Sequence, residues 1–246
     1  MTEPDILQVQ DVTKRFAGLV AVDAVSFGIR RGELVSIIGP NGAGKTTLFN
    51  MLTGQLKPSS GDVRFCGASI NRLKPYQRAR LGLGRTFQIS KPLVELNVLE
   101  NVMVGAFLHH RSPHAARDRA TAVLEEIGLA DQMRRRAFEL TLSERRRLEV
   151  ARALALEPQI ILLDEVMAGL NASETALAIE LFQRLHARGL TLLVIEHNLK
   201  VVRALSQRVI VLDHGALIAE GNAEEILVAP QVVEAYLGRR KEWQPS

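Results

Sequence analysis

Gly39-Pro40-Asn41-Gly42-Ala43-Gly44-Lys45-Thr46 sets glycines at fixed spacing ahead of a lysine and a hydroxyl, the pattern of a phosphate-binding loop. The glycines let successive backbone N–H groups turn inward as an anion nest. The helix that starts near Lys45 adds the positive end of its dipole. Lys45 then places a point charge on β- and γ-phosphates, and Thr46 offers a hydroxyl to Mg²⁺. Thr47, the next residue, belongs to the same binding segment. A turn of purely structural purpose would need the glycines but neither the lysine nor the threonine.

A metal-assisted phosphate site needs a carboxylate as well. Asp164-Glu165 directly follows the apolar run Ile160-Ile161-Leu162-Leu163, which places two acids at the carboxyl edge of a buried parallel strand. Asp164 is the candidate metal ligand. Glu165, one residue on and pointing differently, is the candidate general base that polarises water toward a γ-phosphate. An acidic pair at a strand end can also serve as a helix N-cap, and the phosphate loop is what favours the chemical reading here.

These residues need a scaffold of strands that deliver loops to one edge. Leu34–Ile38 reads as the strand that feeds the phosphate loop, and 46–52 as the helix that leaves it. Residues 6–12 and 25–29 alternate with period two, and 62–65 follows a Ser-Ser-Gly turn, so the first 70 residues read as rich in β-strand. From Asn97 to Asp131 the chain turns Ala-rich, with Val123, Leu124, Ile127 and Leu129 spaced for an amphipathic helix. A helix from Arg145 to Glu157 stopped by Pro158, the strand 160–163, a helix 173–187 and a strand 191–195 then alternate as in a parallel sheet covered on both faces. His214-Gly215 reads as a hairpin turn between 209–212 and 216–219. Short helices at 223–228 and 231–237 close the pattern.

Composition narrows the classes further. The 246 residues are 47% hydrophobic and 24% charged with a net charge of +4, which excludes a disordered chain and gives no argument for a nucleic-acid surface. The basic clusters at Arg134–Arg136, Arg145–Arg147 and Arg239–Lys241 read as solvated faces. Cys66 is the sole cysteine, so no internal disulfide forms and a reducing compartment is expected. An acidic start and the lack of a long apolar window argue against a signal peptide and a membrane span.

Taken together, the motifs resemble the nucleotide-binding subunit of ATP-binding cassette transporters, over nearly the whole chain. The resemblance implies a P-loop α/β fold with a parallel-sheet core, an antiparallel β subdomain and a helical subdomain. It is expected as one domain over 1–246: about 1–90 and 158–246 form the core with the antiparallel portion, and about 91–157 the helical part with the signature. It implies further roles. Gln88, in Gly84-Arg85-Thr86-Phe87-Gln88, resembles the glutamine that ligates Mg²⁺ and senses the membrane partner. His197 resembles the switch histidine on the γ-phosphate. Phe16 stands where the family keeps an aromatic for adenine.

The family signature Leu-Ser-Gly-Gly-Gln here reads Leu140-Thr141-Leu142-Ser143-Glu144. Thr141 can replace the serine hydroxyl as a phosphate donor. Ser143 replaces a glycine whose missing Cβ lets backbone amides approach the partner's phosphate, and Glu144 brings negative charge toward an anion. Val166 also departs from the usual proline. Finer likeness lies in Val98-Leu99-Glu100-Asn101-Val102, Ala168-Gly169-Leu170-Asn171, Ile195-Glu196-His197-Asn198 and Glu234-Ala235-Tyr236-Leu237-Gly238, which resemble ATPase subunits of branched-chain amino acid importers. Implied with it are ATP and Mg²⁺ as cofactors and separate transmembrane permease subunits as partners. A second ATPase subunit in a heterodimer, a homodimer being the alternative, and an extracytoplasmic solute-binding protein acting indirectly are implied too. Location is expected at the cytoplasmic face of the membrane, with no nucleic acid bound. The rivals are a soluble non-transport cassette ATPase and a P-loop phosphotransferase. The first is weakened by the single cassette, the second by leaving Gln88, the arginine-rich helix and His197 without a role.

Overall fold

Strand β3 (Leu34–Ile38) is buried at every position, as a continuous apolar run between two layers must be. The computed structural model describes residues 5–86 and 93–237. Before β3 come β1 (Leu7–Phe16) and β2 (Leu19–Ile29), and after it α1 (Lys45–Leu52), β4 (Ser60–Phe65) and β5 (Ala68–Ser69). Next are α2 (Pro75–Arg80), β6 (Leu83–Arg85), α3 (Val98–Ala106), α4 (Pro113–Glu126) and α5 (Leu142–Leu154). The alternation then runs β7 (Ile160–Asp164), α6 (Ala172–Ala187), β8 (Thr191–Ile195), α7 (Leu199–Leu205), β9 (Arg208–Asp213), β10 (Ala216–Asn222), α8 (Ala223–Ile226) and α9 (Pro230–Leu237).

Two sheets form. One has the order β2-β1-β4-β5 and is antiparallel; the other has the order β10-β9-β3-β8-β7-β6, parallel except for the antiparallel edge strand β10. Alternate residues of the larger sheet point to opposite layers. Ile161 and Leu163 join the apolar cluster shared with α3–α6, whereas Ile160 and Leu162 join the one shared with α1 and the antiparallel sheet. The carboxyl ends of β3, β7 and β8 therefore open on one edge, where the phosphate loop, Asp164-Glu165 and His197 follow.

Several boundaries depart from the pattern reading for local reasons. β1 and β2 are longer than 6–12 and 25–29 because bulges interrupt their pairing, with Asp11 at φ +46° and Ala24 at φ +45°. Each bulge shifts the alternation by one residue, so period-two counting stops there. Helix α5 starts before Arg145 because Thr141 and Glu144 close a capping box, and it stops before Glu157, which sits at φ +50° ahead of Pro158. The Ala-rich stretch divides into α3 and α4 at Ser112, whose side chain accepts the Ala115 N–H while Pro113 opens the new helix. The hairpin turn at His214 (φ +45°) and Gly215 (φ +82°) is as expected. Helix α2 went unread: its Arg78, 1% exposed, donates to the Met51, Leu52 and Ile70 carbonyls and so caps the end of α1.

Candidate functional site

The phosphate loop links β3 to α1, and its glycines are required by space as well as by conformation. Gly44, the N-cap of α1, lies at φ +97°, and a Cβ there would sit 2.4 Å from the Ala21 carbonyl oxygen. Gly39, at φ +152°, would bring a Cβ within 2.1 Å of the Leu212 oxygen. No side chain fits either place. The loop is stitched to the β9–β10 hairpin, since the Gly215 N–H donates to the Ala43 carbonyl and the Asp23 N–H to that of Gly215.

Lys45 is 7% exposed and folds back over the loop, donating from Nζ to the Gly39 oxygen at 2.6 Å and the Pro40 oxygen at 2.9 Å. Burial lowers its pKa from the usual lysine range, and the charges of Glu165 and Asp164 work against that shift. The ammonium thus has weak partners, and an anion in the nest would be a better one.

Beside the loop lies a cavity of about 480 Å³. Asn41 to Thr47, Glu165 and His214 form its polar end, and Phe16, Leu19, Val20 and Ala21 its apolar end. The Phe16 ring is 42% exposed and carries the Lys14 ammonium 5.1 Å from its centroid. An exposed aromatic face at that end suits a planar heterocycle. A phosphate chain and a base together match the shape of this cleft.

Asp164 ends β7 with its side chain 2% exposed. Its Oδ2 accepts from Arg85 at 3.2 Å, its N–H donates to Thr86 Oγ1 at 3.2 Å, and its Oδ1 is buried with no hydrogen-bond partner. Burial raises the Asp164 pKa, chiefly against the pull of Arg85. An orphaned carboxylate oxygen, with a threonine hydroxyl on the phosphate loop as a second hard donor, fits Mg²⁺, a hard cation that takes few protein oxygens and keeps water and phosphate oxygens for the rest. Among the described residues there is no cluster of three or more His, Cys, Asp or Glu that could hold a metal by themselves.

Glu165 follows at φ +48°, a left-handed conformation uncommon for a residue with a side chain. Its N–H donates to the Ile195 oxygen at the end of β8. His197 Nδ1 then lies 3.9 Å from the Glu165 carboxylate. Behind them Glu196, 1% exposed, accepts from the backbone N–H groups of Met167 and His197, and burial above all pushes its pKa up to about 7.

Thr141 and Ser143 stand at the start of α5 and do not line the phosphate cavity of their own chain. Thr141 Oγ1 accepts the Glu144 N–H, and Glu144 Oε2 accepts the Thr141 N–H at 2.8 Å. The Glu144 carboxylate is thus turned back on the helix start, 3.7 Å from Arg135, instead of extending freely as an exposed charge. Val166, in place of a proline, is buried. Gln88 lies outside the described residues. Leu19, Val20, Ala21 and His214 line the cavity although the sequence offered no phosphate or base signal for them; Arg85 and Glu196 were read only as parts of longer motifs.

A family model described as ABC transporter matches residues 22–168. The chain is 41% identical over 254 residues to the high-affinity branched-chain amino acid transport ATP-binding protein LivG of Salmonella typhimurium, covering 97% of this chain and 99% of that one. It is 39% identical over 254 residues to the corresponding protein BraF of Pseudomonas aeruginosa, with the same coverage. Among solved structures, the ADP conformation of MJ1267, an ATP-binding cassette of an ABC transporter, superposes with a TM-score of 0.87 at 34% identity, over 96% of this chain and 100% of that one. A dimeric post-hydrolysis state of the cassette MJ0796 bound to ADP and Pi gives 0.80 at 28% identity, over 88% of this chain and 98% of that one.

Proposed function

The chain belongs to the ABC transporter family, and on that premise we propose that it is the ATP-hydrolysing subunit that powers a membrane importer of branched-chain or related amino acids. One observation carries the chemical part: the phosphate nest and the Glu165 carboxylate line one cleft, and the residue before Glu165 is a buried carboxylate with an orphaned oxygen. The names of LivG and BraF carry the solute class.

In this reading ATP lies along the cleft with its base against Phe16 and its phosphates in the backbone amides of the segment from Asn41 to Thr47. Lys45 leaves the Gly39 and Pro40 carbonyls for the β- and γ-phosphates, trading two neutral acceptors for charged ones. Thr46 and Asp164 would hold Mg²⁺, with Gln88 as a further ligand, and the cation would supply neutralisation of phosphate charge. Glu165 accepts the proton of the attacking water, and His197 orients toward the γ-phosphate from beside it.

Thr141 and Ser143 are donors to the nucleotide of a second ATPase subunit, their helix start being the natural anion-facing element of α5. The degenerate signature favours a heterodimer over a homodimer. Residues 91–157 act as the helical portion that carries this segment, set against a core of 1–90 and 158–246. No helix among the described residues is long and apolar enough to cross a membrane. The transport names of the relatives support the reading that permease subunits supply the span, a solute-binding protein delivers cargo on the far side, and the chain works at the cytoplasmic face. The direct test is acceptor-independent phosphate release from Mg-ATP by the purified chain. ADP formation that requires an added acceptor and yields no free phosphate would assign a phosphotransferase instead.

A further inference from the structure

Thr46 and Asp164 belong to different elements, the first turn of α1 and the end of β7, and their separation decides whether one cation touches both. Arg85, the last residue of β6, reaches each element. Its Nη1 donates to Asn50 Oδ1 on α1 at 2.8 Å and to Oγ1 of Thr53, the C-cap of α1, at 2.9 Å, and its Nη2 donates to Asp164 Oδ2 at 3.2 Å. Asn50 and Thr53 follow Thr46 by four and seven positions, the spacing that stacks residues along one helical face. The Arg85 side chain is 10% exposed, and its Nε donates to the Thr86 carbonyl. Thr86 in turn accepts the Asp164 N–H.

A guanidinium is a rigid plane, and holding it at both ends fixes what it holds. By taking Oδ2, Arg85 leaves Oδ1 as the carboxylate oxygen without a partner. We propose that Arg85 is a positioning residue for the cation site, setting the aim of Asp164 and its distance from the Thr46 face of α1. The proposal rests on Thr46 and Asp164 being the protein ligands of Mg²⁺.

The test uses the full chain, Mn²⁺ as the probe and electron paramagnetic resonance to count free metal, with and without ATP. Arg85→Lys keeps the charge and loses the fork. The double variant Asn50→Leu with Thr53→Val keeps the Arg85–Asp164 pair and cuts the anchor on α1. In both, the Mn²⁺ dissociation constant with ATP is expected to rise about tenfold, the lower end for loss of a partner that orients a metal ligand. The Mg²⁺ concentration for half-maximal phosphate release should rise in step. ATP affinity in EDTA should stay within about twofold, because the nest itself is untouched.

Unchanged Mn²⁺ affinity in a folded variant of either kind overturns the proposal. So does a parallel loss of ATP affinity in EDTA, which would make Arg85 a general brace for the loop. If Arg85→Lys does not fold, the double variant decides alone. A wild-type chain that binds Mn²⁺ no tighter with ATP than without overturns the ligand assignment and the proposal together, whereas tight wild-type binding with unchanged variants overturns the role of Arg85 only.

Discussion

The Tyr236 hydroxyl on α9 accepts the Gly39 N–H at 2.9 Å, so the last helix is tied to the first residue of the phosphate loop. Gly39 is buried, and its carbonyl in turn accepts from Lys45. Burial raises the Tyr236 pKa and keeps the phenol neutral, although the Gly39 hydrogen bond works against that shift.

Tyr236→Phe leaves that N–H without an acceptor, a loss worth about 1–3 kcal/mol for a buried donor. The melting temperature should fall by about 2–12 °C, on the scale of about 2–4 °C per kcal/mol for a chain of this size. Thermal unfolding followed by circular dichroism checks it, and an unchanged midpoint would mean that the hydroxyl is not a structural tie.

Lys45→Ala should weaken equilibrium binding of a fluorescent ATP analogue about tenfold or more, since a charge-assisted hydrogen bond contributes about 1.5–3 kcal/mol. Lys45 spends its present hydrogen bonds on two loop carbonyls, so its removal should cost the empty protein little by comparison. Unchanged affinity would mean that the loop is not the nucleotide site.

The phosphate loop and Asp164-Glu165 were legible in sequence because each is a run of consecutive residues following a continuous apolar strand. Periodicity found β3 and β8 to the residue, since both are buried on two faces and bounded by turns. It shortened β1 and β2 because bulges break the count. Arg85, Glu196 and Tyr236 acquire their meaning only from topology: β6 is far from β3 in the sheet order but beside β7, and no spacing in the chain announces that Arg85 meets Asp164 or that Tyr236 meets Gly39. The capping box that turns Glu144 back onto Thr141 follows from a residue three places past a threonine N-cap, and the signature comparison drew attention to its charge instead.

Glu196 makes stability depend on pH. Its carboxyl keeps its proton to about pH 7 in the folded chain, against an ordinary value of 4.5, because burial dominates and Glu165 adds repulsion, opposed by the N–H groups of Met167 and His197 and the Arg146 charge. The folded state therefore holds more protons than the unfolded state between those values, and stability falls as pH rises from about 4.5 to about 7. Glu196→Gln cannot titrate and should lose that part of the fall. Melting curves at pH 5 and pH 8 should show the variant gaining on the wild type at the higher pH; parallel behaviour would contradict the assignment.

The altered signature predicts slow turnover by the isolated chain. Ser143→Gly with Glu144→Gln removes a side chain and a charge while a glutamine preserves the capping box with Thr141. Restoring donors to an anion is worth up to about 10²–10³-fold, so steady-state phosphate release under dimerising conditions should rise in the double variant. Equal rates, with the wild type already fast, would remove the argument for an asymmetric pair and leave the ATPase assignment standing.

His197 Nδ1 lies 3.9 Å from the Glu165 carboxylate, and the account stands on Glu165 as the base. The decisive measurement is single-turnover hydrolysis of Mg-ATP with protein in excess, run beside equilibrium ATP binding, for the wild type and Glu165→Gln. The variant keeps the shape of the side chain and removes its basicity, so ATP affinity should match the wild type while hydrolysis drops by about 10²–10⁴-fold, leaving ATP held uncleaved. Hydrolysis at the wild-type rate in that variant would contradict the central claim.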